Sequence, residues 1–181
     1  MQLKTHAIAF AALACLAGAS NANIVTFTGT TAGGPTFNRP TEDLFGLSSV
    51  GTVVRYDTYS FSVSAAGDYT FLTTGLFDTF SLLYRATFNP TSPRINALIA
   101  NDDLLPSPST TSGFAFTLAA GTTYLLVNTG FFNSDFGSFS TTSGGPGNIV
   151  ATIPEPATYG MLALGLGVVG LARRRALAAL G

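Results

Sequence analysis

Apolar and polar side chains alternate with a period of two along much of the chain. Tyr59, Phe61 and Val63 share one face with Ser60, Ser62 and Ser64 on the other, and Tyr69 and Phe71 resume the pattern after Ala65-Ala66-Gly67. Such alternation marks half-buried strands. A three-residue loop ending in Gly is a favoured hairpin connection, so the spacing predicts a hairpin pairing Val63 with Tyr69 and Phe61 with Phe71. The same turn recurs: Phe114, Phe116 and Leu118 alternate into Ala119-Ala120-Gly121, and a second hairpin would set Tyr124 opposite Phe116 and Leu126 opposite Phe114. The repeat fits an old duplication and fits common turn chemistry equally well.

Asp78 to Tyr84 and Ile95 to Ala100 form another expected pair, joined by a loop with Pro90 and Pro93. Further strands are expected at Ile24 to Thr28, Thr52 to Arg55 and Phe136 to Thr142. About seven to nine short strands separated by turn residues predict an all-β fold, an antiparallel, jelly-roll-like β-sandwich. Its span is 23–143, followed by a Gly/Pro linker over 144–153 that begins Gly144-Gly145-Pro146-Gly147.

The two ends break the alternation. Residues 1–22 read as a secretory signal helix: Lys4 is the positive start, Ala7 to Ala19 the apolar stretch, and Ser20-Asn21-Ala22 a small-residue cleavage site between Ala22 and Asn23. Cys15 raises a lipoprotein anchor as the minor alternative, but Ala12-Leu13-Ala14 lacks the usual Leu three positions upstream. At the other end, Pro154-Glu155-Pro156 precedes an apolar run, 157–172, and then Arg173-Arg174-Arg175. As a helix this run measures about 24 Å, short of the roughly 30 Å hydrocarbon core. Snorkelling arginines recover part of the deficit and place the cluster on the cytoplasmic side.

Pro-Glu-Pro, a short transmembrane helix and a terminal Arg cluster together resemble the PEP-CTERM sorting signal of Gram-negative bacteria that make exopolysaccharide. The resemblance covers Ile153 to Gly181, with Pro154, Glu155, Pro156, Arg173, Arg174 and Arg175 as the sorting residues. It implies an exosortase as processing partner, transient residence in the inner membrane, cleavage near Pro154 to Pro156, and delivery to the envelope, surface or extracellular matrix. Residues 55–130 also loosely resemble the bacterial pre-peptidase C-terminal type of β-sandwich, through Tyr59-Ser60-Phe61, Gly67-Asp68-Tyr69, Phe77-Asp78, Leu83-Tyr84, Asn101-Asp102-Asp103, Leu118 to Gly121 and Tyr124. That resemblance implies a non-catalytic module.

Composition sharpens the functional reading once both ends are set aside. Charged residues make up 9% of the chain, against about a quarter in an average domain. Lys4, His6 and Cys15 all fall in the signal segment, so residues 23–153 contain no His, Cys or Lys. This excludes Ser-His-Asp and Cys-His sites and leaves a pair of carboxylates, as in glycan hydrolases, as the catalytic alternative. Four arginines against eight acids give this span a formal charge of −4, which disfavours nucleic acid as a partner. With no Trp to stack on sugars, a structural or adhesive role is expected, no enzyme activity, and exopolysaccharide as a candidate partner; a calcium-dependent carbohydrate-binding module is the alternative.

One constellation carries candidate chemistry. A hairpin folded symmetrically about Asn89-Pro90 would set Phe80 opposite Ile99 and Asp78 opposite Asn101, bringing Asp78, Asn101, Asp102 and Asp103 to one sheet end. Carboxylates and amide oxygens are the ligands Ca²⁺ prefers. Asn-Asp-Asp is equally good turn chemistry, so an ordinary solvated turn stands beside the calcium reading.

Overall fold

The computed structural model describes residues 23–104 and 110–152. Within them the chain is all-β, with no helix: β1 (Asn23–Thr30), β2 (Thr36–Phe37), β3 (Val54–Val63), β4 (Gly67–Gly75), β5 (Thr79–Arg85), β6 (Ala97–Asn101), β7 (Thr111–Leu118), β8 (Tyr124–Gly130), β9 (Ser138–Gly145) and β10 (Ile149–Ala151). Every pairing is antiparallel. One sheet runs β1-β9-β4-β7 and the other β10-β3-β8-β5-β6, with β2 beside β3.

Neither Ala-Ala-Gly turn closes a hairpin. Each is a corner where the chain crosses between sheets: β3 pairs with β8 and β4 with β7, so that Phe61 lies opposite Tyr124, Tyr59 opposite Leu126, Tyr69 opposite Phe116 and Phe71 opposite Phe114. The two units therefore clasp each other. Period-two alternation could not separate the alternatives, because a sandwich corner brings the same apolar faces together as a hairpin does. Phe61 and Phe71 do meet, at 5.5 Å between ring centroids, but across the interior instead of along a ladder. Each corner is tied by its own tyrosine. The Tyr69 hydroxyl donates to the Ala65 carbonyl at 2.8 Å, and the Tyr124 oxygen accepts from the Ala119 amide at 3.0 Å. Gly121 sits at φ +69°, where a side chain would be strained.

The β5–β6 pair forms in a different register from the expected one: Leu83 lies opposite Ile99 and Ser81 opposite Asn101, with an irregularity between Leu83 and Tyr84. The connecting loop folds asymmetrically, held by Tyr84 Oη donating to the Pro93 carbonyl at 2.6 Å and the Arg85 amide to Asn96 O at 2.9 Å. Its turn is therefore not centred on Asn89-Pro90.

The described part of the span expected as a linker, residues 144–152, belongs to the sandwich. Gly144 and Gly145 end β9, and Ile149–Ala151 add β10 to the edge of β3. Gly145 serves packing, since a Cβ there would lie 2.1 Å from Tyr69 Cδ1. The Tyr69 oxygen also accepts the Gly147 amide at 2.9 Å.

Apolar burial divides in two. Between the sheets, Phe61, Val63, Tyr69, Phe71, Leu83, Leu118, Tyr124 and Leu126 form one cluster. On the outer face of the β3-containing sheet, Phe37, Val54, Phe80, Leu82, Tyr84 and Val127 form another. Leu44 and Phe88, from the loops before β3 and after β5, pack against it. Phe37, Tyr56 and Phe88 meet edge to face at 5.1–5.3 Å, a favoured geometry for aromatic rings.

Candidate functional site

The pairings Tyr56–Thr129, Thr79–Gly130 and Gly75–Phe139 bring one set of strand ends together. The loops β2–β3, β4–β5, β6–β7 and β8–β9 leave from this end. Asp78 directly precedes β5, while Asp102 and Asp103 directly follow β6. Although the register differs from expectation, it still delivers them to one place: carboxylate oxygens of Asp78, Asp102 and Asp103 all lie within 4.8 Å of one another.

The fourth expected member stands apart. Asn101 spends its side-chain oxygen on the Gly113 amide at 2.9 Å, and its Nδ2 donates to Glu42 Oε1 at 2.9 Å and to Asp103 O at 3.5 Å. It positions the turn that carries the acids and contributes no oxygen to the cluster.

Burial and crowding shape the acids. Asp78 is pushed up to about 6, first by burial and then by the charges of Asp103 and Asp135. Asp102 is pushed up to about 7, again chiefly by burial, with Asp78 and Asp103 adding repulsion. Arg39 pulls both the other way. Oδ1 of Asp78 and Oδ1 of Asp102 are buried without a hydrogen-bond partner. Buried polar atoms are nearly always paired, so these two oxygens have capacity left for a proton or a cation.

Arg39, which no motif in the sequence marks, completes the site. It is 2% exposed, with its guanidinium 4.0 Å from the Phe80 ring centroid and 4.6 Å from that of Phe131. Nε and Nη2 donate to Phe131 O at 3.2 and 3.0 Å, and Nη1 to Pro40 O at 3.1 Å. Gly51 leaves room for it, since a Cβ there would lie 2.6 Å from Arg39 Nε. Two aromatic faces and two carbonyls compensate the charge for lost water. Beside it opens a cleft of about 230 Å³, lined by Arg39, Glu42, Ser48, Phe80 and Asp102 among others.

Beneath this end the inter-sheet interior is polar. Ser81 Oγ lies 2.8 Å from Ser112, 3.0 Å from Asn128 Oδ1 and 3.1 Å from Thr73, and Thr141 lies 2.9 Å from Thr73 and 3.1 Å from Asn128 Nδ2. Thr79 joins through Ser112 at 3.0 Å. All six are buried. No sequence signal marked them, because Ser and Thr on strands read as the solvent face.

Asn23, the expected first residue after signal cleavage, begins β1. Ala22 and the sorting residues Pro154, Glu155, Pro156, Arg173, Arg174 and Arg175 lie outside the described residues, as do both expected terminal helices.

No curated protein sequence matches the chain. Among solved structures, similar ones include the pre-peptidase C-terminal domain of collagenase from Bacillus anthracis, at 15% identity and a TM-score of 0.41, covering 66% of this chain and 87% of that one. The g-type lysozyme inhibitor PliG, a periplasmic protein of Aeromonas hydrophila, is 11% identical at a TM-score of 0.37, covering 75% and 90%. The K3 cleaved adhesin domain of Lys-gingipain from Porphyromonas gingivalis W83 is 16% identical at 0.31, covering 74% and 93%. Residues 152–176 match the family described as the PEP-CTERM protein-sorting motif, beginning one residue after β10 ends at Ala151. The chain is thus an antiparallel β-sandwich carrying a PEP-CTERM protein-sorting motif, the mark of an exported exosortase substrate of the Gram-negative envelope.

Proposed function

We propose that the protein is delivered to the cell surface or exopolysaccharide matrix, where the sandwich is a structural or adhesive component without catalytic activity. The observation that carries this reading is the abutment of fold and sorting motif. Thr152, the first residue of the motif, is held by the sandwich, its amide donating to Ser60 O at 2.9 Å and its Oγ1 lying 2.5 Å from Ser60 Oγ. Cleavage near Pro154 to Pro156 would free the sandwich without cutting into β10. The lack of His, Cys and Lys over 23–153 supports a non-catalytic role. Mass spectrometry of surface-located protein from the native host tests the reading. It predicts a mature chain beginning at Asn23 and lacking Arg173 to Arg175; an intact tail on surface protein would overturn it.

A second reading, calcium-dependent binding of a glycan, is favoured by the two unpartnered carboxylate oxygens beside the Arg39 cleft. Asp78, Asp102 and Asp103 supply oxygen donors of the kind calcium takes, and waters or sugar hydroxyls would complete its shell. Asn101 is left out of the ligand set and acts through the turn. Titrating the chain with calcium, then with host polysaccharide, separates the two readings: saccharide binding that chelator abolishes supports the second.

A further inference from the structure

The two ends of the sandwich differ in what they expose. Four loops at the acidic end carry large apolar side chains in solvent: Val50 and Val53 from β2–β3, Leu76 from β4–β5, Leu104 from β6–β7, and Phe132 and Phe136 from β8–β9. Leu76 is fully exposed, at 102%. Elsewhere the exposed large apolar residues include Ile95 in the β5–β6 connection, Phe45, whose carbonyl accepts from Arg94 Nη1 beside it, and Ile24 and Val150 on strands.

The last described strand before the sorting motif, β10, runs toward the apolar end. β10 runs antiparallel to β3, from Ile149 opposite Val63 to Ala151 opposite Phe61, and Thr152 is bonded to Ser60. Val54, the start of β3 at the loop-rich end, lies six residues beyond Ser60 in that direction, about 20 Å at 3.3 Å per residue. From Thr152 to Ala157, where the apolar run begins, five residues span at most about 18 Å. The run therefore starts no farther from Thr152 than the loop-rich end itself.

We propose that this end rests on the phospholipid surface while the tail is still in the membrane, with Val50, Val53, Leu76, Phe132 and Phe136 seated among the headgroups. The inference rests on the sorting tail being membrane-embedded before cleavage. The short tether, the direction of β10 and the exposed apolar loops all select the same end. Apolar side chains at an interface settle about 5–10 Å into the headgroup and acyl boundary. The acids on these loops make a zwitterionic surface the better partner than an anionic one. Once cleavage removes the tether the contact is lost, because a few scattered side chains cannot hold a domain to lipid alone.

The chain contains no Trp, so a single introduced Trp reports without background. Full-length chain carrying Leu76→Trp, Phe132→Trp or Ile95→Trp is reconstituted into phosphatidylcholine and phosphatidylethanolamine vesicles, with and without bromine-labelled acyl chains. Leu76→Trp and Phe132→Trp should shift to the blue and lose fluorescence in brominated vesicles, whereas Ile95→Trp should do neither. Equal behaviour at the two ends, or no quenching at Leu76 and Phe132 in chains that co-float with vesicles, overturns the inference alone. Failure of the chain to co-float removes the embedded tail as well, and the inference with it. A blue shift that depends on protein concentration but not on lipid assigns the face to a second copy, which also overturns the proposal.

Discussion

The two halves of the inter-sheet interior share one backbone plan and are filled with opposite materials. Toward the Ala-Ala-Gly corners, Phe61, Tyr69, Phe71, Leu118 and Tyr124 pack an aromatic core. Toward the acidic loops the same strands supply Thr73, Ser81, Ser112, Asn128 and Thr141, joined by hydrogen bonds. The first material stabilises by removing area from water, at about 25 cal/mol per Å². The second gains about 1 kcal/mol per bond and costs more when one partner is lost. Stability is concentrated at the corner end, and chemical capacity at the other.

Truncation at the apolar half should hurt most. Phe61→Ala should cost about 3–5 kcal/mol, read as a fall in the urea midpoint. Next comes Arg39→Met, which keeps the bulk but strips Phe131 O and Pro40 O of their donor; a loss of about 2–3 kcal/mol is expected. Removing that positive charge should also drive Asp78 and Asp102 further up, visible by NMR titration of their carboxyl carbons. In the polar half, Asn128→Ala leaves Thr73, Ser81 and Thr141 short of a partner and should cost about 1–3 kcal/mol. A cost for Asn128→Ala equal to that of Phe61→Ala would erase the contrast between the halves.

Acidity gives a smaller effect of defined sign. Asp102 holds its proton up to about pH 7 in the folded chain, whereas an unfolded aspartate releases it near 3.9. Between those values the folded state binds more protons, so stability falls as pH rises from about 4 to 7 and is flat above. Without calcium, the melting temperature should drop across that window. Asp102→Asn should flatten most of the drop and melt above wild type at pH 8. Asp78, pushed up to about 6, should account for much of the remaining slope.

The strands and the all-β class were legible because alternation reports which face is buried, and the expected 136–142 strand lies largely within β9. What alternation cannot report is which strand lies alongside which. Tyr69 opposite Phe116, or facing Val63 in a hairpin, presents the same pattern of sequence, so the corners read as hairpins. The cluster was legible for a different reason: Asp78 stands just before one strand and Asp102 just after its antiparallel neighbour, and a register change alters the partners but not the shared end. Arg39 was not legible. Its burial depends on Phe80 and Phe131, far off in sequence, and on the space left by Gly51. The polar interior stayed hidden because Ser and Thr satisfy one another there through contacts between sheets.

The claim that the acidic end is the binding end is tested most directly by melting wild type and Asp102→Asn at pH 8, with about 1 mM calcium and with chelator. With the affinities of order 10⁻⁴ to 10⁻³ M typical of extracellular sites, calcium should stabilise wild type by about 0.4–1.4 kcal/mol, a rise of a few degrees. Asp102→Asn, short of one anionic ligand, should lose that response while melting above wild type in chelator. A melting temperature indifferent to calcium in both chains, or raised equally in both, would contradict the account and leave Asp102 and Asp103 as a turn.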